Sequence, residues 1–160
     1  MPEPSTKSRR TPSGCHVAST VPFTLVTPAQ VVFEGEAELV IAVTTEGEEG
    51  ILPHHAPLLA ALKPGILRAN VRSQTSGEHG GTSRLELATG EGFMQALPDR
   101  VTVLVDTAVR FEDVVVSQVR DELEAATQRQ KAAGENRELV AREQAAIDFA
   151  AAKLRLTGHR

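Results

Sequence analysis

The sequence predicts a β + α fold: an N-terminal antiparallel β-sandwich followed by a C-terminal antiparallel hairpin of two helices. Three observations predict it. From Phe23 to Asp106, short β-rich runs are separated by turn residues. After Asp113 the apolar period changes from 2 to 3.6. Gly134 and Asn136 then interrupt the helical pattern midway, as a helix C-cap and the next N-cap would. The expected division is a disordered extension over 1–21, a sandwich over 22–108 and a helical hairpin over 109–160.

Composition sets the class. With 41% hydrophobic and 24% charged residues, the chain reads as soluble and globular. Five Phe with no Trp or Tyr mean that Val, Leu, Ile and Ala must build the core. A formal net charge of −4 leaves no basic footprint and disfavours nucleic acid as a partner. A single cysteine, Cys15, excludes an internal disulfide and a multi-cysteine metal site, and it fits a reduced, intracellular setting. No apolar run approaches the roughly 20 residues a membrane-spanning helix needs, so a place beside a membrane is compatible and a helical span is not expected.

The first segment, "MPEPSTKSRRTPSGCHVASTV", is dominated by Pro, Ser, Thr and charge, and it shows neither an apolar period nor the apolar region of a secretory signal. The expected strands are "FTLVTP", "QVVFEG", "EAELVIAVTT", "GILRANVRS", "SRLELATG", "EGFMQALP" and "RVTVLVDT". Breaks are expected at Pro28, Gly35, Glu46–Gly50, Pro53, Gly77–Gly81, Gly90–Gly92 and Pro98–Asp99. Alternation puts Val101, Val103 and Val105 on one face, and Leu85 with Leu87. In "ELVIAV" both faces are apolar, with Leu39, Ile41 and Val43 opposite Val40 and Ala42. Such a strand lies at the centre of the sandwich or offers one face to a partner. In the helical part, Val116, Val119, Leu123 and Ala126 form the first stripe. Leu139, Val140, Ile147, Ala150, Ala151 and Leu154 form the second. Each helix should run about 20 residues, or about 30 Å. Alanine-rich stripes bury little area, so the hairpin is either loosely held and able to leave its docking surface or a stably docked cover.

The segment "TTEGEEGILPHHAPLLAALKPG", Thr44 to Gly65, has the residue types of an active site. As a metal centre it would use His54, His55 and Glu49, but adjacent histidines in extended chain point to opposite faces and do not chelate one ion. Acid–base catalysis needs carboxyls in contrasting environments, and Glu46, Glu48 and Glu49 share one Gly-bounded acidic turn. No G-x-S-x-G or G-x-x-x-x-G-K-[ST] occurs, and "GEHGG" reads as a hairpin loop. No catalytic, cofactor or metal site is expected. Structurally, Ile51-Leu52 should re-enter the core, Pro53 and Pro57 should stiffen a corner in which a histidine bonds backbone groups, and "PLLAAL" should bury its leucines.

The order of these features resembles the signature of the epsilon subunit family of bacterial F-type ATP synthases, counterparts of the mitochondrial delta subunit. The matching residues are Glu46, Gly47, Gly50, Ile51, Pro53, His55, Ala56, Pro57, Leu58, Leu59, Leu62, Pro64 and Gly65. A second echo is "TGEGFMQALPDRVTVLVDTA". The resemblance implies a sandwich plus helical hairpin and a non-catalytic rotor subunit of the central stalk. Its implied partners are the gamma subunit and the c ring, at the cytoplasmic face of the bacterial plasma membrane. It also implies a hairpin that can extend and inhibit ATP hydrolysis. Carried over by position, Glu46, Glu48 and His55 fall in the part facing gamma and the c ring, and Glu48 is the candidate for meeting a basic group there. The apolar outer positions Leu39 and Ile41 join them as partner-binding candidates.

Two departures stand out. The glycine that usually precedes the motif histidine is His54, which restricts the corner. The regulatory ATP motif [IL]-D-x-x-R-A is replaced by Val114-Val115-Val116-Ser117-Gln118-Val119; Val115 and Gln118 stand where the carboxylate and arginine would be, so weak or absent ATP binding is expected. On the second helix, Arg137, Arg142, Lys153 and Arg155 could meet acidic parts of the alpha and beta subunits. The alternative reading is a free-standing β-sandwich adaptor or binding module.

Overall fold

A computed structural model of the chain describes residues 19–72 and 81–158. Cys15, residues 1–18 of the expected extension and residues 77–80 of the expected loop lie outside the described residues. Among the described residues nine strands come first: β1 (Val21–Val26), β2 (Val31–Thr44), β3 (Gly47–Ile51), β4 (Leu58–Leu62), β5 (Gly65–Arg72), β6 (Thr82–Thr89), β7 (Gly92–Leu97), β8 (Arg100–Val105) and β9 (Ala108–Arg110). A single 3-10 turn, Phe111–Asp113, leads to α1 (Val116–Ala132) and α2 (Arg137–Gly158).

The strands form a two-layered sandwich sharing β2. The second half of β2 pairs with β3 on one side and β5 on the other, and the layer continues through β6 to β9. The first half of β2 pairs with β1, which leads through β8 and β7 to β4. A bridge from Leu62 to Thr44 returns β4 to β2. Every pairing is antiparallel except β1 with β8, which run parallel with Phe23 beside Val101 and Leu25 beside Val103. Between the layers lie Phe23, Leu25, Val40, Ile51, Leu67, Leu87, Met94 and Val103, each fully buried. The alternation in "RVTVLV" is realised: Val101, Val103 and Val105 point inward.

Several local expectations change. Gly35 does not break the chain; β2 runs through it for 14 residues. A Cβ at Gly35 would sit 3.0 Å from the Phe33 ring, so glycine leaves room for that ring, which packs at 5.4 Å against Phe23. Glu46–Gly50 is not one acidic turn: the turn lies at Thr45-Glu46, and Gly47–Ile51 is a strand on β2. Strand pairing overrides the low β-propensity of "GEEGI" because an unpaired edge of β2 is there to receive it. Ile51 enters the core, but Leu52 is 57% exposed. In "PLLAAL" Leu62 is buried, Leu58 is half-buried and Leu59 is 71% exposed, since neighbours on a strand face opposite ways.

The caps fall as the sequence indicates. Gly134 has φ +57, the left-handed value that follows a helix end, and Asn136 Oδ1 accepts the Leu139 N–H at 3.2 Å. Val119 and Ala126 are the buried residues of α1, while Val116 is 37% exposed. On α2 the buried residues are Ala150, Ala152 and Leu156, and Leu139 is 44% exposed. The expected stripe is realised at Ala150, with Val140, Ile147, Ala151 and Leu154 half-buried, but burial also falls on Ala152 and Leu156 because α2 has two neighbours, α1 on one side and the sheet on the other. Across the helix pair, Arg129 donates to Glu143 at 2.9 Å, Gln130 to Gln144 at 2.8 Å and Lys153 to Glu122 at 2.6 Å. It is α2 that docks on β5 and β6: Ala152 and Leu156 pack with Ala88, joined by Ile66, Phe111, Val114 and Phe149. This small cluster is separate from the sandwich core.

Candidate interaction surface

The Thr44–Gly65 segment is a stitched corner. Thr44 Oγ1 donates to the Gly47 carbonyl at 2.8 Å and accepts the Glu46 N–H at 3.1 Å, closing the β2–β3 turn with Glu46 exposed at its tip. Beyond β3, the His55 N–H donates to the Leu52 carbonyl at 3.2 Å. Pro53 and His54 occupy the two central positions of that turn, and His54 has φ +63. Proline followed by a positive φ is the pattern of a type II turn, in which glycine is the unstrained choice at the second position. The histidine therefore carries backbone strain at this position. His55 Nδ1 bonds the Ala56 carbonyl at 2.7 Å, so that nitrogen holds the proton, and Nε2 faces Glu49 Oε1 at 4.0 Å. Thr45 N–H to Ala61 O and Lys63 N–H to Val43 O, both 3.0 Å, fasten the corner to the end of β2.

The sequence-derived candidates separate onto two faces. Glu48, Leu39 and Ile41 share the outer face of the β3–β2–β5 layer, with Glu48 opposite Val43, and Gly50 and Arg68 both opposite Ile41. Leu39 and Ile41 are half-buried rather than open. His55 stands apart, beside Glu49 at the edge of β3. Glu48 is 60% exposed, yet Arg68 Nη2 donates to both of its carboxylate oxygens at 2.7 Å. His54 is exposed and its backbone, not its ring, defines its place.

Sequence reasoning missed a second feature. Leu59, Phe93 and Leu104 are 71%, 57% and 51% exposed. Phe93 pairs with Leu104 on β8 and with Ala61 on β4, and Leu59 lies two residues from Ala61 on the same face. Together they form an apolar strip on the outer face of the β4–β7–β8 layer. The signal was present: Met94 and Ala96, or Val103 and Val105, already fill the inner positions, which leaves Phe93 and Leu104 at outward positions where polar residues belong.

The start of α1 opens on a groove lined by Gln118, Asp121, Glu122, Ala125, Arg129 and Phe149, among others. Val115, the N-cap of α1, makes no side-chain cap bond and is 50% exposed. Among the described residues no group of three or more His, Cys, Asp or Glu is placed to hold a metal ion, and no helix is long and apolar enough to cross a membrane.

Comparison with known proteins gives a consistent answer. The family described as ATP synthase, Delta/Epsilon chain, beta-sandwich domain matches residues 20–111. The ATP synthase epsilon chain of Chromobacterium violaceum is 37% identical over 131 residues, 82% of this chain and 88% of the relative. That of Xanthomonas oryzae pv. oryzae is 38% identical over 139 residues, 87% of this chain and 86% of the relative. A chain in the cryo-EM structure of the Euglena gracilis mitochondrial ATP synthase, OSCP/F1/c-ring, shares the fold at TM-score 0.67 and 20% identity, covering 99% of this chain and 90% of that one. With a sandwich, a two-helix hairpin and the stitched corner in the same order as the sequence signature, the chain belongs to the ATP synthase delta/epsilon chain family.

Proposed function

We propose that this chain is a non-catalytic rotor subunit of a proton-translocating F-type ATP synthase, coupling the gamma subunit to the c ring. Family membership carries the assignment to the complex. The observation that carries the coupling role is the pair of displayed surfaces on one sandwich built around a single core. The apolar strip of Leu59, Phe93 and Leu104 suits the gamma subunit, because an apolar face of this kind is stabilised by a permanent protein partner. The acidic end of the β2–β3 hairpin, with Glu46 at the turn and Glu48 on the outer face it shares with Leu39 and Ile41, suits the c ring, where carboxylates would meet basic polar-loop groups, and His55 holds the neighbouring corner beside Glu49. The site of action is then peripheral, at the cytoplasmic face of a bacterial plasma membrane.

The hairpin fits an inhibitory element that leaves its dock and reaches the alpha and beta subunits through Arg137 and Arg142, which are exposed near the start of α2. In the α1 groove Gln118 stands at the motif's arginine position, Asp121 and Glu122 add negative charge, and the groove's Arg129 is already held by Glu143 at 2.9 Å, which disfavours a triphosphate there.

The strip is tested by co-purification. The double variant Phe93→Ser/Leu104→Ser should still fold cooperatively with at most a small drop in melting temperature, since both side chains are more than half exposed, and should bind gamma at least about tenfold more weakly, as loss of two apolar side chains covered by that partner requires. Undiminished capture of gamma by that variant would exclude the strip as the gamma contact.

A further inference from the structure

The groove between the sheet and the C-terminal end of α2 holds an electrostatic arrangement that links the corner to the hairpin. About 350 Å³ in volume, it is floored by Val43, Ile66 and Leu156 and ringed by Arg68, Arg84, Arg155, Glu48 and Glu86. Two of the three cations have counter-charges. Arg68 is held by Glu48 at 2.7 Å, and Arg84 by Glu86 at 2.6 Å. Arg155 forms no ion pair among the described residues, and it is the neighbour of Leu156, the buried anchor of α2. The Nε of Arg68 is buried with no partner, so its Nη2 contact to Glu48 carries the neutralisation of that guanidinium. The residue directly across from Arg68 on β6 is Glu86, already engaged by Arg84.

We infer that the Glu48–Arg68 pair is an electrostatic latch on the hairpin: drawing Glu48 onto a basic partner leaves Arg68 unneutralised in the groove that Arg155 also lines and loosens the docked end of α2. The inference rests on the partner role proposed for Glu48. Glu48 is 60% exposed and free to turn outward, whereas Arg68 is 31% exposed and rooted in the middle of β5. When the carboxylate leaves, three arginines share Glu86, and like charges in a groove partly shielded from water repel more strongly than on an open surface. The part able to yield is α2, which is held to the sheet by few apolar side chains, not β5, which is paired on both edges. Engagement at the corner would thereby favour release of the hairpin, and a docked hairpin would favour a retained Glu48–Arg68 pair, as linkage requires.

The test is hydrogen exchange on the full chain in four forms: wild type, E48Q, R155Q and E48Q/R155Q. Amides of residues 146–158 should exchange roughly two- to fivefold faster in E48Q, the size expected for an exposed pair. Amides of β7 and β8 should not change. The acceleration should vanish in the R155Q background. Unchanged exchange in E48Q, or an equal acceleration with and without Arg155, would overturn the latch. Capture of the c ring by wild type and E48Q is scored separately. Lost capture with unchanged exchange sinks the latch and keeps the partner reading. Accelerated exchange with full capture supports the Glu48–Arg155 link and removes Glu48 from the c-ring contact.

Discussion

His54 shows how far a single residue can be read. The type II turn at Leu52–His55 requires a positive φ at its third residue, and His54 meets that requirement at +63. A left-handed conformation costs a non-glycine residue about 1–2 kcal/mol, partly offset by the extra entropy a glycine loses on folding. His54→Gly should therefore stabilise the chain by about 0.5–1 kcal/mol and raise the melting temperature by roughly 1–4 °C in a chain of this size. A circular-dichroism melt at or below the wild-type midpoint would show that the histidine ring contributes more than its backbone costs. The restriction at this corner was legible in the sequence, because the resemblance led glycine to be expected where His54 stands; the positive φ itself was not. The Glu48–Arg68 pair was not. Its partners are 20 residues apart, and only the β3–β2–β5 order, with Glu48 opposite Val43 and Arg68 opposite Ile41, brings them together across β2.

At the scale of elements, helices and their caps were more legible than the strands around the corner. Gly134 and Asn136 marked the hairpin loop because capping is local chemistry: one residue supplies the positive φ, and the other supplies an oxygen to a free N–H. β3 and β4 were hidden because their residues look like turn and core respectively, and their state is decided by the edge of β2 and by β7. The stripe on α2 was right at Ala150 and missed Ala152 and Leu156 because the helix is covered on two sides. Asn136→Ala removes the Oδ1 acceptor from the Leu139 N–H and should cost about 1 kcal/mol of helical stability. Since the loop is remote from the small dock at Ala152 and Leu156, the loss should appear as faster hydrogen exchange in the first turns of α2 while β5 and β6 keep their protection. Equal loosening of the sheet would mean that hairpin and sandwich unfold as one unit.

For the whole molecule, alternation and period were enough to read a sandwich followed by a hairpin, since both follow from which positions must be dry. What they did not disclose is which outer faces are covered, because that depends on where α2 lies. It covers Ile66 and Ala88 and leaves Leu59, Phe93 and Leu104 open. The two apolar clusters are separate, and the sandwich core takes no residue from α1 or α2. A chain ending at Arg110 should therefore still fold. It keeps β9, whose Ala108 and Arg110 pair with Thr89 and Leu87, and it keeps the Arg110 bond to the Val32 carbonyl at 3.3 Å. It loses the cover on Ile66 and Ala88, a cost in solubility more than in stability, because that cluster is small. Such a chain should melt cooperatively and still bind gamma through the apolar strip, and if the hairpin inhibits hydrolysis, the ATPase activity of the assembled complex should rise. Activity equal to that of the full-length complex would remove inhibition from the hairpin's role, whereas a truncated chain that fails to melt cooperatively would show that the second cluster is part of the sandwich's own stability.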